Sequence, residues 1–219
     1  INPWRNDDIE IPATLPLVLS QPEQRELRDN YIHQFLNGDQ SKEFENIWIE
    51  TVQADGDVPI WGFGEAVIEE ITAFTEAVVQ QTNEDGLSLI DRQAEMVRVE
   101  VNNVQISGTL QSSKNDSTSL IFLTPGAKTT AQFQRPKYLA LGQLLLATAA
   151  GLPITRACVY SQHEKWSPNA VDAKGKPRKA VMVREVMLDT SINRRSAKDL
   201  LGNLCDLYQQ AAASAYSSF

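Results

Sequence analysis

An α/β fold, with a mixed central sheet flanked by helices, is the architecture this sequence predicts, and three observations lead to it. Apolar residues recur at helical spacing through the first eighty positions, the period shifts toward two near Met96, and helices and strands then alternate instead of segregating. That mixture argues against a helical bundle or a β-sandwich.

Residues 1–13 are polar, hold two prolines and show no period, so they read as an extended entry arm. After Leu15–Leu19, Ser20 and Glu23 have capping-box spacing, and Leu27, Tyr31 and Phe35 mark a helix that Asn37-Gly38 ends. A second helix runs from Ser41 to about Gln53, with Phe44, Ile47, Trp48, Thr51 and Val52 on one face, and Asp55-Gly56-Asp57 closes it. Glu65 to Gln81 form a third, with Val67, Ile71, Phe74 and Val78 on its buried stripe and acids opposite. Val97, Val99 and Val101 then alternate with Arg98 and Glu100 as a half-buried strand. Asn102-Asn103 turn the chain, Val104–Leu110 return, and Leu120–Leu123 complete a three-stranded meander after a polar loop. Pro125-Gly126 stop that strand. From about Gln134 to Ala150 the positions Tyr138, Leu141, Leu145 and Ala149 fit a buried helix closed by Gly151. Thr155–Tyr160 and Ala180–Leu188 are two more strands, joined by a loop rich in Lys, Pro and Gly from Lys165 to Lys179. Leu200, Leu204, Leu207 and Ala211 mark a last helix, with Asp189, Thr190 or Ser191 as candidate caps. The expected division is the arm, a helical lead-in over 14–55 and a sheet–helix core over 56–219.

Composition is that of an ordinary globular chain: 42% hydrophobic and 22% charged, over 219 residues. The longest apolar run, Leu139 to Leu152, is interrupted by Gly142, Gln143 and Thr148 and is too short to span a bilayer. No membrane association is expected. The two cysteines, Cys158 and Cys205, have no patterned neighbours and fit a reduced cytoplasm, and the acidic opening residues Asp7, Asp8 and Glu10 do not suit a signal peptide. A start at Ile1 and a stop just past a long helix suggest an excised piece of a longer chain. The net charge of -8 conceals an asymmetry. Residues 1–100 hold 6 Lys/Arg against 21 Asp/Glu, and the remainder holds 14 against 7, so the halves carry about -15 and +7. Any contact with polyphosphate is therefore expected on the C-terminal half.

Several chemistries find no support. His33 and His163 have no Cys, His or carboxylate partner at a ligand spacing, which excludes a sequence-legible metal site. No Gly-x-Ser-x-Gly elbow and no phosphate-binding Gly-x-x-x-x-Gly-Lys-Ser/Thr loop occurs. What stands out is the loop with Lys165, Trp166, Lys174, Lys176, Arg178 and Lys179, where cations accompany an aromatic ring, a combination that tracks a phosphate backbone and stacks a base. Arg135, Lys137, Arg156 and Arg184 extend the basic set, and convergence on one face would make a groove for a separated strand. The competing reading is a solvated hairpin tip. Trp48 and Trp61 read as packing residues.

The run Gly-Asp-Val-Pro-Ile-Trp-Gly-Phe-Gly at 56–64, with the helix from Glu65, resembles a stretch near the C-terminus of RecC proteins. Val104-Gln105-Ile106-Ser107-Gly108-Thr109-Leu110 resembles that family's Val-Gln-Ile-Thr-Gly-aromatic-Leu strand, and Ala140–Gly151 its apolar helix ending in a small residue and glycine. Leu15–Leu36 and Ser196–Ala213 extend the likeness over most of the chain. The resemblance implies a PD-(D/E)XK nuclease-like fold that has degenerated. In active members two strand-end carboxylates hold Mg²⁺, since a hard cation needs oxygen ligands to activate water. Here Gln111 and Gly126 stand at those positions and Lys128 at that of the catalytic lysine, so neither catalysis nor a metal or other cofactor is expected. The implied role is DNA handling and subunit contact in a RecBCD-type helicase-nuclease, exodeoxyribonuclease V, in double-strand break repair and recombination. The implied partners are DNA, RecB-like and RecD-like subunits and the rest of RecC. Lys128 joins the DNA-contact candidates. Two alternatives remain: an active Mg²⁺ nuclease using Glu95, Glu100 and Asp116, or a purely structural interaction module. The AddB-type relative with an iron–sulfur cluster needs four cysteines, and only two are present.

Overall fold

The structure is a computed structural model that describes residues 19–38, 40–59 and 62–216. The arm expected over 1–13, the run Leu15–Val18, and Ile60 and Trp61 of the resembling stretch lie outside the described residues. The rest falls into two compact units, one up to Thr72 and one from Ala73. The expected division after residue 55 precedes this boundary, which falls inside a helix.

The first unit contains α1 (Gln21–Asn37), α2 (Lys42–Ala54) and the start of α3 (Gly62–Glu84). The expected capping box of α1 forms, with the Ser20 amide donating to a Glu23 carboxylate oxygen at 2.7 Å. Ser41 Oγ caps α2 by accepting from the Phe44 amide. Between the two helices Tyr31 packs on Trp48, ring centroids 4.5 Å apart, and on Phe35 and Phe44. Such pairs contribute about 0.5–1.5 kcal/mol beyond area burial, so this aromatic cluster is what pins α1 to α2.

The second unit holds a five-stranded sheet in the spatial order β1-β2-β3-β4-β5. Strands β1 (Arg92–Val101), β2 (Val104–Ser113) and β3 (Ser119–Leu123) form the expected antiparallel meander. The turn residues Asn102 and Asn103 both have positive φ (49° and 61°), the conformation a two-residue hairpin demands and asparagine tolerates. β4 (Arg156–Gln162) pairs parallel to β3, and β5 (Val181–Met187) antiparallel to β4. The sheet is mixed and flanked by helices, as expected.

Parallel pairing of β3 with β4 needs a crossover, and α4 (Thr130–Ala150) supplies it. Ala140, Leu144 and Ala147 of α4 are fully buried against Val97, Val99, Leu110, Leu120, Ala157 and Val159. Gly108 explains why glycine occupies the middle of β2. A Cβ there would meet Leu146 Cδ2 of α4 at 2.8 Å, too close without repacking. α5 (Arg194–Tyr216) packs beside α4, burying Ala197 and Leu201.

Some boundaries differ from the sequence expectation, each for a local reason. α4 starts at Thr130, earlier than expected, because Thr129 and Gln132 form a reciprocal capping box upstream of Pro136. The cap of α5 is Asn193, whose Oδ1 accepts from the amides of Arg195 and Ser196. Asp189 instead accepts from the Ser191 amide in the turn before it.

One polar cluster ties the loop before β3 to β4 and β5. Asp116 accepts from Ser119 Oγ (2.6 Å), Thr118 Oγ1 (2.6 Å) and the Thr118 amide (2.8 Å), and pairs with Arg156 at 3.4 Å. Arg156 also donates to Ser119 Oγ and to Glu185. Burial pushes the Asp116 carboxyl upward, but these hydrogen bonds outweigh it and hold the group at about 2. A carboxylate depressed in the fold stabilises it above the ordinary carboxylate range and loses that contribution as pH falls toward 2. Asp116→Ala should cost about 1–2 kcal/mol at neutral pH and flatten the stability change between pH ~5 and ~2, as read by urea denaturation across that range.

Candidate nucleic-acid interface

Because β3 and β4 run parallel, both end at the same end of the sheet, and the Thr124 amide donating to the Tyr160 carbonyl (2.8 Å) joins them there. The chain leaving β3 carries Lys128 into the start of α4, whose exposed first turns present Arg135 and Lys137. The chain leaving β4 carries the basic loop, which returns to the start of β5 at that same end. Topology alone therefore gathers Lys128, Arg135, Lys137 and the 163–180 segment, although they are distant in sequence.

That segment is an ordered hairpin. Val171 bridges Pro177, and the His163 amide donates to the Ala180 carbonyl at its base. Asp172 Oδ1 accepts from the amides of Lys174 (2.8 Å) and Lys176 (3.0 Å), and Gly175 takes the positive φ (74°) the tip requires. Those amides, from Lys176 first and then Lys174, lower the carboxyl of Asp172 below its ordinary value. Asp172 thus serves as the turn's scaffold while the ammonium groups of Lys165, Lys174, Lys176 and Lys179 remain exposed. Arg178 is half-buried, its Nε donating to the Val171 carbonyl at 3.0 Å. Trp166 is also half-buried and packs on Phe74, centroids 6.1 Å apart, so part of its ring belongs to packing.

Two of the expected cations are engaged within the fold. Arg156 lies at the opposite end of β4 within the Asp116–Glu185 network, and its hydrogen bond to Glu185 raises its pKa. Arg184 lies over the Phe133 ring, 4.6 Å from the centroid, and donates to the Ala127 carbonyl and Ser161 Oγ. Partial burial lowers its pKa. Both guanidiniums brace the fold.

Beside the hairpin's base is an open cleft of about 600 Å³, with Val181 and Val183 on its apolar side and His163, Arg178, Lys179 and Asp85 among its polar groups. Asp85 accepts from the hydroxyl of fully buried Tyr160 at 2.9 Å, and burial followed by this bond raises the Tyr160 phenol's pKa. That Asp85 and His163 line one cleft did not emerge from sequence patterns, since 78 positions separate them and no short motif links them.

Gln111 precedes Ser112, which pairs with Leu120 at the start of β3, while Gly126 and Lys128 follow the end of that strand. Gln111 Oε1 instead accepts from Arg92 at 3.3 Å. Of the alternative acids, Glu95 and Glu100 lie on edge strand β1 and Asp116 is engaged with Arg156. Among the described residues no three His, Cys, Asp or Glu side chains are grouped to hold a metal ion.

The geometry defines an α/β domain with a mixed sheet and a cationic end. The family model described as the RecC C-terminal domain matches residues 3–216, and the chain belongs to that family. Membership places it with the RecBCD (exodeoxyribonuclease V) complex, which functions in DNA repair. No curated protein matches. A solved chain titled "Crystal structure of SSO0001" is similar at 11% identity over 82% of this chain and 83% of that one, with a TM-score of 0.29. No helix among the described residues is long and apolar enough to cross a membrane.

Restoring one acid, as Gln111→Asp, should leave labelled DNA uncut in Mg²⁺ or Mn²⁺, because Gly126 still supplies no second carboxylate. Gel analysis of products checks this. Cleavage by the unaltered chain that disappears on changing Glu95, Glu100 or Asp116 would establish the active-nuclease alternative.

Proposed function

We propose that this chain is a non-catalytic DNA-handling and subunit-contacting domain of a RecBCD-type helicase-nuclease in double-strand break repair and recombination. The observation that carries the reading is the gathering of cations, exposed except for half-buried Lys128, at the end of the sheet where β3 and β4 terminate. Lys174, Lys176 and Lys179 on the hairpin and Lys128, Arg135 and Lys137 at the start of α4 supply charge on two elements anchored to one sheet. Charges at fixed spacing follow a phosphate backbone with less ordering cost than a mobile tail. The exposed part of Trp166 adds a stacking surface for a base of a separated strand. Missing carboxylates at positions 111 and 126 support the absence of catalysis, since glutamine and glycine supply no anionic oxygen. The acidic N-terminal helices repel polyphosphate and are assigned to protein contact with RecB-like or RecD-like subunits or the rest of RecC.

Fluorescence anisotropy with labelled single-stranded and duplex oligonucleotides tests this. Affinity should fall steeply with salt, and each neutralised phosphate contact contributes about -0.7 to -0.9 to the log–log slope. Lys174→Ala with Lys176→Ala should reduce that slope by about 1–2 and weaken binding to all sequences alike. Arg156→Ala should leave the slope unchanged. Absence of low-salt binding by the complete chain would favour the purely structural module.

A further inference from the structure

The first unit contains a second concavity, of opposite electrostatic character. It lies between α1 and α2, holds about 190 Å³, and has buried Trp48 and Val52 and half-buried Phe44 at its base. At about 30 Å³ per water, that space accepts about six waters or one large side chain. Ile47 stands at its mouth with 56% of its surface exposed among the described residues, on the same helix face as Phe44 and Thr51. Asp55 and Asp57 border the same groove, and among the described residues neither has an ion pair.

The charge around this groove identifies its occupant. Residues 19–72 contain 3 Lys/Arg and 12 Asp/Glu, a net of -9. Two of those three cations are already engaged, Lys42 with Glu45 at 2.8 Å and Arg28 with Asp29 at 3.5 Å. Nucleic acid is repelled by such a field, and an apolar base with an anionic border suits a polypeptide whose bulky apolar side chain is flanked by Lys or Arg. We propose that the α1–α2 groove is a docking site for a cationic amphipathic segment of a partner protein, anchored by one apolar side chain beside Ile47 and by cations at Asp55 and Asp57. This deepens the subunit-contact part of the proposed function and is independent of the DNA-contact part.

Photo-crosslinking tests it in the complete subunit assembled with its partner subunits. With Ile47→p-benzoylphenylalanine, the expected adduct, mapped by mass spectrometry, is a partner segment with at least two Lys or Arg within about one helical turn of its apolar residue. Asp55→Lys with Asp57→Lys should reduce the adduct yield roughly fivefold or more, as should raising salt from about 50 to about 500 mM. Both changes are at exposed positions, and circular dichroism confirms that the variant is folded. Anisotropy on the same variant should show DNA affinity unchanged or higher, which separates failure here from failure of the DNA-contact reading. No adduct, an adduct on DNA, a second copy of this chain or a neutral or acidic segment, or a yield indifferent to charge reversal, would overturn the proposal.

Discussion

Parallel pairing of β3 with β4 is the constraint from which the second unit follows. Two parallel neighbours cannot be joined by a tight turn, so the chain must cross over the sheet, and α4 does so. The crossover survives because α4 buries small and large apolar residues alternately: Ala140, Leu144 and Ala147 are fully buried, and Gly108 makes room for Leu146. Its functional consequence is positional. Both strands end together, so the segments that leave them carry their cations to one end of the sheet.

Charge is then partitioned by element as well as by sequence half. The cations at the β3–β4 end are mostly exposed, on the hairpin and the start of α4, whereas Arg156 and Arg184 are committed to carboxylates, carbonyls and an aromatic ring. Engaged guanidiniums and solvated cations are different instruments. The first fix geometry, and the second respond to salt and to a polyanion. Residues 19–72 carry the opposite sign.

Much of the fold was legible because it rests on periodicity. The valines of β1 alternate through Val97–Val101, and the Ser20/Glu23 capping box and the Asn102-Asn103 turn are local signals that need no tertiary information. The polar start of β1 was not legible, since Arg92–Met96 is largely exposed and leaves no alternation to read. The polar first turn of α4 carries no apolar period to read, and Asn193 was passed over as a cap because Asp189 to Ser191 offered the same chemistry nearby. The basic loop was readable as composition only. That its tip is built on Asp172, that Trp166 packs on Phe74, and that Arg156 lies at the far end of its strand depend on three-dimensional neighbours. Asp85 beside the Tyr160 hydroxyl is likewise a contact between positions 75 apart.

The central claim is that DNA meets this domain through the cations collected where the two parallel strands end. Hydrogen–deuterium exchange of the complete chain, with and without a short single strand at low salt, addresses it most directly. Slowed exchange across 163–183 and the first turns of α4, with α1 and α2 unchanged, is the outcome expected. Slowing confined to the acidic helices, or at the Arg156 end of the sheet alone, would contradict it.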